Sequence, residues 1–155
     1  MAAHIFAIDP GPVQSAFVIW DGQRIVDHAI TSNAMLLERL RSLTLSDNPP
    51  VRVAIEMIAS YGMAVGAEVF ETCVWIGRFI QASPVFCERY FRGAIKLHLC
   101  GSTRAKDANV RQALIDLIGP QGRKATPGPT YGIRSHCWAA LAVAVYAASC
   151  VEIPF

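Results

Sequence analysis

The spacing of apolar residues changes several times along the chain, and each change marks an element. His4 to Asp9 carries the apolar run Ile5-Phe6-Ala7-Ile8 and ends on a carboxylate, reading as a first strand. Pro10-Gly11-Pro12 forces a turn, and Ser15 to Trp20 follows as a second strand. Asp21-Gly22 is a hairpin signal that leads into a third strand from Arg24 to near Ile30. Asn33 is placed to cap a helix with Met35, Leu36, Leu40 and Leu43 on one face, ended by Asp47-Asn48-Pro49-Pro50. Val51 to Glu56 is a second apolar strand that ends on an acid.

Beyond a loop through Tyr61 and Gly62, a long helix is expected from near Val65 to Gln81, with Val69, Phe70, Cys73, Ile76 and Ile80 as its apolar stripe. Pro84 to Cys87 reads as a short fifth strand. A short segment around Phe91 to Leu99 and a Gly101-Ser102-Thr103 turn follow. The next helix runs from Lys106 to Ile118 with Val110, Leu114, Leu117 and Ile118 inward. Residues 119–134 hold four glycines and three prolines, the composition of a loop, here expected to be mobile. A last helix starts near Ser135, its candidate cap, and ends near Cys150. This order predicts an α/β fold, a five-stranded mixed sheet with helices on its faces, and a single domain over residues 1–155.

Composition narrows the class. An apolar fraction of 53% with 17% charged residues excludes a disordered or fibrous chain. The apolar run from Trp138 to Val151 is shorter than the roughly 20 residues of a spanning helix, and reads as a buried helix or a subunit contact. Met-Ala-Ala-His lacks the basic start and apolar run of a signal peptide, so a cytoplasmic protein with no membrane partner is expected. Cys73, Cys87, Cys100, Cys137 and Cys150 form no Cys-x-x-Cys pair and are expected to be buried free thiols, which argues against a zinc site.

Charge is divided unevenly. Met1 to Glu88 holds 5 Lys+Arg against 9 Asp+Glu, whereas Arg89 to Arg134 holds 9 against 2. Within the acidic part, Asp9 and Glu56 each close an apolar strand, where a lone carboxylate is costly to desolvate. A divalent cation between two such acids converts repulsion into ligation. The alternative is that each acid caps a strand end or pairs with an arginine. Acids on one part and an anion-attracting surface on the other suit a metal-dependent enzyme acting on a polyphosphate.

Ile8-Asp9-Pro10-Gly11, with a second strand and an Asp-Gly hairpin after it, resembles the opening of the RNase H-like superfamily. More narrowly it resembles RuvC-type Holliday junction resolvases, phage-encoded ones included, and the likeness runs over nearly the whole chain. Ala54-Ile55-Glu56 sits where that family carries its second acid. Gly101-Ser102-Thr103-Arg104-Ala105-Lys106 followed by Val110 is similar to its Gly-rich turn and lysine-bearing helix, and Ala139-Ala140-Leu141-Ala142-Val143-Ala144 to its closing helix. The resemblance implies three antiparallel strands followed by two parallel ones, flanked by helices, in a homodimer that cuts four-way DNA junctions using Mg²⁺ or Mn²⁺.

It further implies that Asp9, Glu56 and His136 converge as metal ligands and catalytic groups. Most relatives carry an acid at the position of His136, and many another three residues on, where this chain has Ala139. Histidine is the softer ligand and favours Mn²⁺ relative to an all-oxygen site. Two ions about 3.5–4 Å apart would activate water, stabilise the leaving oxygen and relieve phosphate charge. Lys106 is the expected catalytic lysine, with a second near Lys96; surface lysines are the alternative for both. Arg104, Arg111, Arg123, Lys124 and Arg134 are candidate phosphate contacts. Tyr61 is either a base-stacking residue at the junction centre or a core tyrosine. Glu68 and Glu71 are a possible source of a missing ligand or solvated acids. Trp75, Ile76 and Phe79 are a candidate dimer interface. The competing readings are a flap or fork nuclease of the same fold, a junction-binding protein that no longer cuts, and, last, an actin-like nucleotide-binding fold.

Overall fold

The computed structural model describes residues 4–43 and 52–150. Its main sheet contains β1 (Ile5–Asp9), β2 (Gln14–Trp20), β3 (Ile25–Ser32), β4 (Arg52–Met57) and β5 (Cys87–Phe91), in the spatial order β3-β2-β1-β4-β5. β1 pairs antiparallel with β2 and parallel with β4; β2–β3 is antiparallel and β4–β5 parallel. The expected three antiparallel strands followed by two parallel ones are present.

Alternation along the strands divides the core in two. Phe6, Ile8, Phe17, Val53 and Ile55 face α1 (Asn33–Leu43) and α2 (Ala67–Ala82). Ile5, Ala7, Ala16, Val18 and Ala54 face α5 (Cys137–Ser149). Small side chains on that face and the alanines of α5 let helix and sheet backbones approach closely. α3 (Arg92–Cys100) and α4 (Asp107–Ile118) cover the outer side of α5. The apolar run predicted as a buried helix or subunit contact is therefore a central core helix within its described residues.

Several expectations are corrected. The start of α1 is capped by Ser32, whose Oγ accepts the Met35 N–H at 3.2 Å, and not by Asn33. Asn33 is buried: its Nδ2 donates to the Gly11 carbonyl at 2.8 Å and its Oδ1 accepts the Ser15 hydroxyl at 2.6 Å. Met35 is exposed, and Leu37 takes its place in the core. On α2 the buried residues are Thr72, Ile76 and Phe79, while Phe70 and Cys73 face solvent. Ile76 and Phe79 are core residues, so they cannot form a subunit contact. The fifth strand lies at Cys87–Phe91 and not at residues 84–87, because Ser83 and Val85 are tied in a turn by a 2.6 Å hydrogen bond. Leu117 on α4 is exposed. Of the thiols, Cys87 and Cys137 are buried, Cys73 is exposed, and Cys100 and Cys150 are partly covered. Asp47-Asn48-Pro49-Pro50, Val51 and Val151 lie outside the described residues.

The segment read as a loop contains a small hairpin, β6 (Gly122–Arg123) with β7 (Thr126–Pro127). It is closed by the Thr130 hydroxyl on the Gly119 carbonyl at 2.9 Å and by Gln121 Nε2 on the Ile133 carbonyl at 2.8 Å. A Cβ at Gly128 would lie 2.0 Å from the Pro120 carbonyl oxygen, so glycine is required for this close crossing. Among the described residues no helix is long and apolar enough to cross a membrane.

Candidate active site

β1 and β4 are adjacent and parallel, so their carboxyl ends lie side by side, where open α/β sheets place their ligands. Ile8 pairs with Ile55, and the next residues on the two strands are Asp9 and Glu56. Strand alternation turns both side chains to the face that carries α5. The Pro10-Gly11-Pro12 turn behind Asp9 is held from below. Gly11 N–H donates to Ser15 Oγ at 3.1 Å, and Asn33 binds both Ser15 and the Gly11 carbonyl.

His136 immediately precedes α5, and its Nδ1 lies 3.0 Å from Asp9 Oδ2. Ser135 before it adopts φ 51°, as does Tyr61 on the β4–α2 loop. The left-handed region costs a non-glycine residue about 1–2 kcal/mol, so both loops at this end of the sheet store strain. Asp9, Glu56 and His136 line one cavity of about 560 Å³ together with the Pro10–Ser15 turn. Glu56 and His136 also line a second cavity of about 360 Å³, with Lys96, Asp107 and Ala139.

Burial governs the electrostatics of the acids. Desolvation pushes the Glu56 carboxyl up to about 7, and the neighbouring Asp9 charge adds to the effect while Arg92 opposes it. Asp9 is also held above the ordinary carboxylate value by burial, with His136 working against the shift.

Sequence reasoning missed two residues here. Arg92 is the first residue of α3, with Nε 3.6 Å from Glu56 Oε1 and Nη2 3.6 Å from Asp107 Oδ1. Asp107 opens α4 beside it. The available signal was positional, since a correctly placed β5 would have put Arg92 just past the carboxyl end of the strand next to Glu56. Lys106 lines neither cavity: it is exposed, and its backbone N–H donates to Asn109 Oδ1 at 3.0 Å. Lys96 does line the second cavity.

Tyr61 is 73% exposed, which excludes the core alternative, and its hydroxyl would lie 3.2 Å from a Cβ at Gly93. Arg104, Arg111, Arg123, Lys124 and Arg134 are all exposed. Arg111 lies over the Trp138 ring and donates to Gln121 at 2.9 Å, so it is the most constrained of them. Glu68 and Glu71 are exposed and line neither cavity. Ser135 makes no side-chain cap on α5.

Among the described residues, no three Asp, Glu, His or Cys side chains already close into a metal cage. The donor chemistry nevertheless fits a divalent ion. Two desolvated carboxylates of raised pKa lie beside one imidazole, and a cation would relieve their mutual repulsion.

A five-stranded mixed sheet in the order 3-2-1-4-5, flanked by helices, is an RNase H-like fold. Within that class the chain has a RuvC-like fold. It matches the structure of Thermus thermophilus RuvC with TM-score 0.67 and 19% identity, over 92% of this chain and 91% of that one. It also matches T. thermophilus RuvC in complex with a Holliday junction substrate, with TM-score 0.64 and 17% identity, over 95% and 96% of the two chains. No protein-family model and no curated protein matches the sequence.

Proposed function

We propose that this chain is a homodimeric, divalent-metal-dependent endonuclease that resolves four-way DNA junctions by paired nicks. The observation that carries the reading is the adjacent pair Asp9 and Glu56, set largely out of solvent at the ends of two parallel strands, on a fold shared with a junction-bound RuvC. Asp9, Glu56 and His136 would hold Mg²⁺ or Mn²⁺, one or two per site, which supplies water activation and relief of phosphate charge when bound. Asp9, fixed from behind by the Asn33 and Ser15 network, sets the position of the site. Lys96 is the lysine placed to meet a phosphate in the cavity, and Lys106 contacts DNA outside it. Tyr61 projects beside the site to stack on an unpaired base. Arg104, Arg111, Arg123, Lys124 and Arg134 hold the duplex arms through phosphates and carry no sequence information. A two-fold dimer presents two sites to two symmetric strands.

The test is incubation of wild-type and Asp9→Asn protein with four-way junction, flap and fork substrates in Mg²⁺ or Mn²⁺. Paired nicks in the junction by wild type alone are expected. The loss on Asp9→Asn should exceed the roughly 100-fold typical of removing a ligand's own hydrogen-bond partner. A junction left intact while flap or fork is cut overturns the assignment to junctions.

Ala139 favours a second reading, a junction binder with attenuated cleavage, because it brings no carboxylate to the cavity it lines. That reading requires tight junction binding with no nicked product, and cleavage gained by Ala139→Asp.

A further inference from the structure

We propose that Arg92 is a built-in counter-cation that a divalent ion must displace from Glu56, and that the displaced guanidinium then meets a substrate phosphate. The inference rests on the metal-dependent nuclease reading and adds a residue and an order of events to it. Arg92 spans two carboxylates at equal distance, 3.6 Å to Glu56 and 3.6 Å to Asp107. Both separations exceed ordinary hydrogen-bond length, so charge and not directional bonding holds the guanidinium there. Such a contact is easily exchanged.

Position and mobility support the exchange. Arg92 borders both cavities, so its head group stands where they meet at Glu56. Its side chain is 46% exposed while that of Glu56 is 14% exposed, leaving the arginine free to turn and the glutamate fixed. Asp107, whose side chain is 80% exposed, holds the other end of the fork at the solvent edge. An ion ligated by Glu56 would repel a guanidinium at that distance. Rotation about the long stem then carries Arg92 outward, toward the mouth of the cavity that Lys96 also lines. A planar guanidinium binds phosphate oxygens in a bidentate manner, which suits the new position. Metal and arginine thus compete for one carboxylate, and whatever draws Arg92 away favours the metal.

Calorimetric titration of Mn²⁺ into the DNA-free full chain tests the competition. Arg92→Ala should bind Mn²⁺ about two- to fivefold more tightly than wild type, the range of an exposed ion pair. Arg92→Lys, which keeps the charge, should stay close to wild type. Equal or weaker Mn²⁺ binding by Arg92→Ala overturns the proposal. At saturating Mn²⁺, Arg92→Ala should bind DNA more weakly, with a salt dependence shallower by about one phosphate contact. An unchanged salt slope removes the phosphate role. The Mn²⁺ comparison requires no cleavage. A wild-type protein that cuts nothing would sink the nuclease reading alone, and equal affinities would sink this inference alone.

Discussion

Glu56 sets how the metal-free protein responds to pH. Its carboxyl is pushed from the ordinary value of 4.5 up to about 7, so between those values the folded state binds more protons than the unfolded chain. Stability must therefore fall as pH rises through that window, by on the order of 3 kcal/mol for a shift of this size. Asp9, also raised, acts in the same direction. Thermal melts of metal-free protein should show a lower Tm at pH 7.5 than at pH 5, and Mn²⁺ should restore it at pH 7.5. A Tm that rises with pH and ignores Mn²⁺ would show that the acids are compensated already. Asp9 and Glu56 were legible in the sequence because each interrupts an apolar strand, and His136 through the resemblance. Arg92 and Asp107 were not, since a charged residue at the start of a helix is ordinary and its partners lie 36 and 15 residues away along the chain.

Among the elements, the turn after β1 bears most directly on the site. Asn33, Ser15 and Gly11 form a closed hydrogen-bond set beneath Asp9, and Asn33 N–H adds a bond to the Val13 carbonyl at 3.0 Å. Asn33→Ala leaves the Ser15 hydroxyl and the Gly11 carbonyl without this partner, which should cost about 1–3 kcal/mol. Chemical denaturation measures that loss, and Mn²⁺ titration should show weaker binding at temperatures where the variant is fully folded. Normal stability with normal Mn²⁺ affinity would remove this role from Asn33. Sequence reasoning found the first four main-sheet strands and four of the five helices, because apolar runs and turn residues are local signals; it set β5 too early and left α3 as an unassigned segment. It misread Asn33 because a polar residue before an apolar helix has the same local pattern whether it caps or is buried. It misjudged the stripe of α2 for a related reason. Phe70 and Cys73 are apolar, yet only tertiary contact decides that Thr72 and Phe79 take the inward positions.

At the scale of the whole molecule, the proposed homodimer requires a contact face. The solvent side of α2 carries Phe70 and Val74, 62% and 56% exposed, one turn apart on the face opposite the core. With Ile76 and Phe79 committed inward, this face is the contact we propose for the homodimer. Phe70→Glu with Val74→Glu should give a monomer by analytical ultracentrifugation that is still folded and nicks junction strands singly. A dimer that persists would place the contact elsewhere.

α5 is buried on almost every side, against β1, β2 and β4 within and α3 and α4 without. Elements of that kind open only when the whole structure opens, so their amides exchange at the global limit. His136 is joined directly to this helix, and Asp9 closes the strand packed beneath it. The backbones that carry the imidazole and the carboxylate therefore lack a cheap local route to separation. The backbone frame of the site is thus lost only with the fold, while the His136 side chain, 66% exposed, keeps its own freedom to turn on and off Asp9.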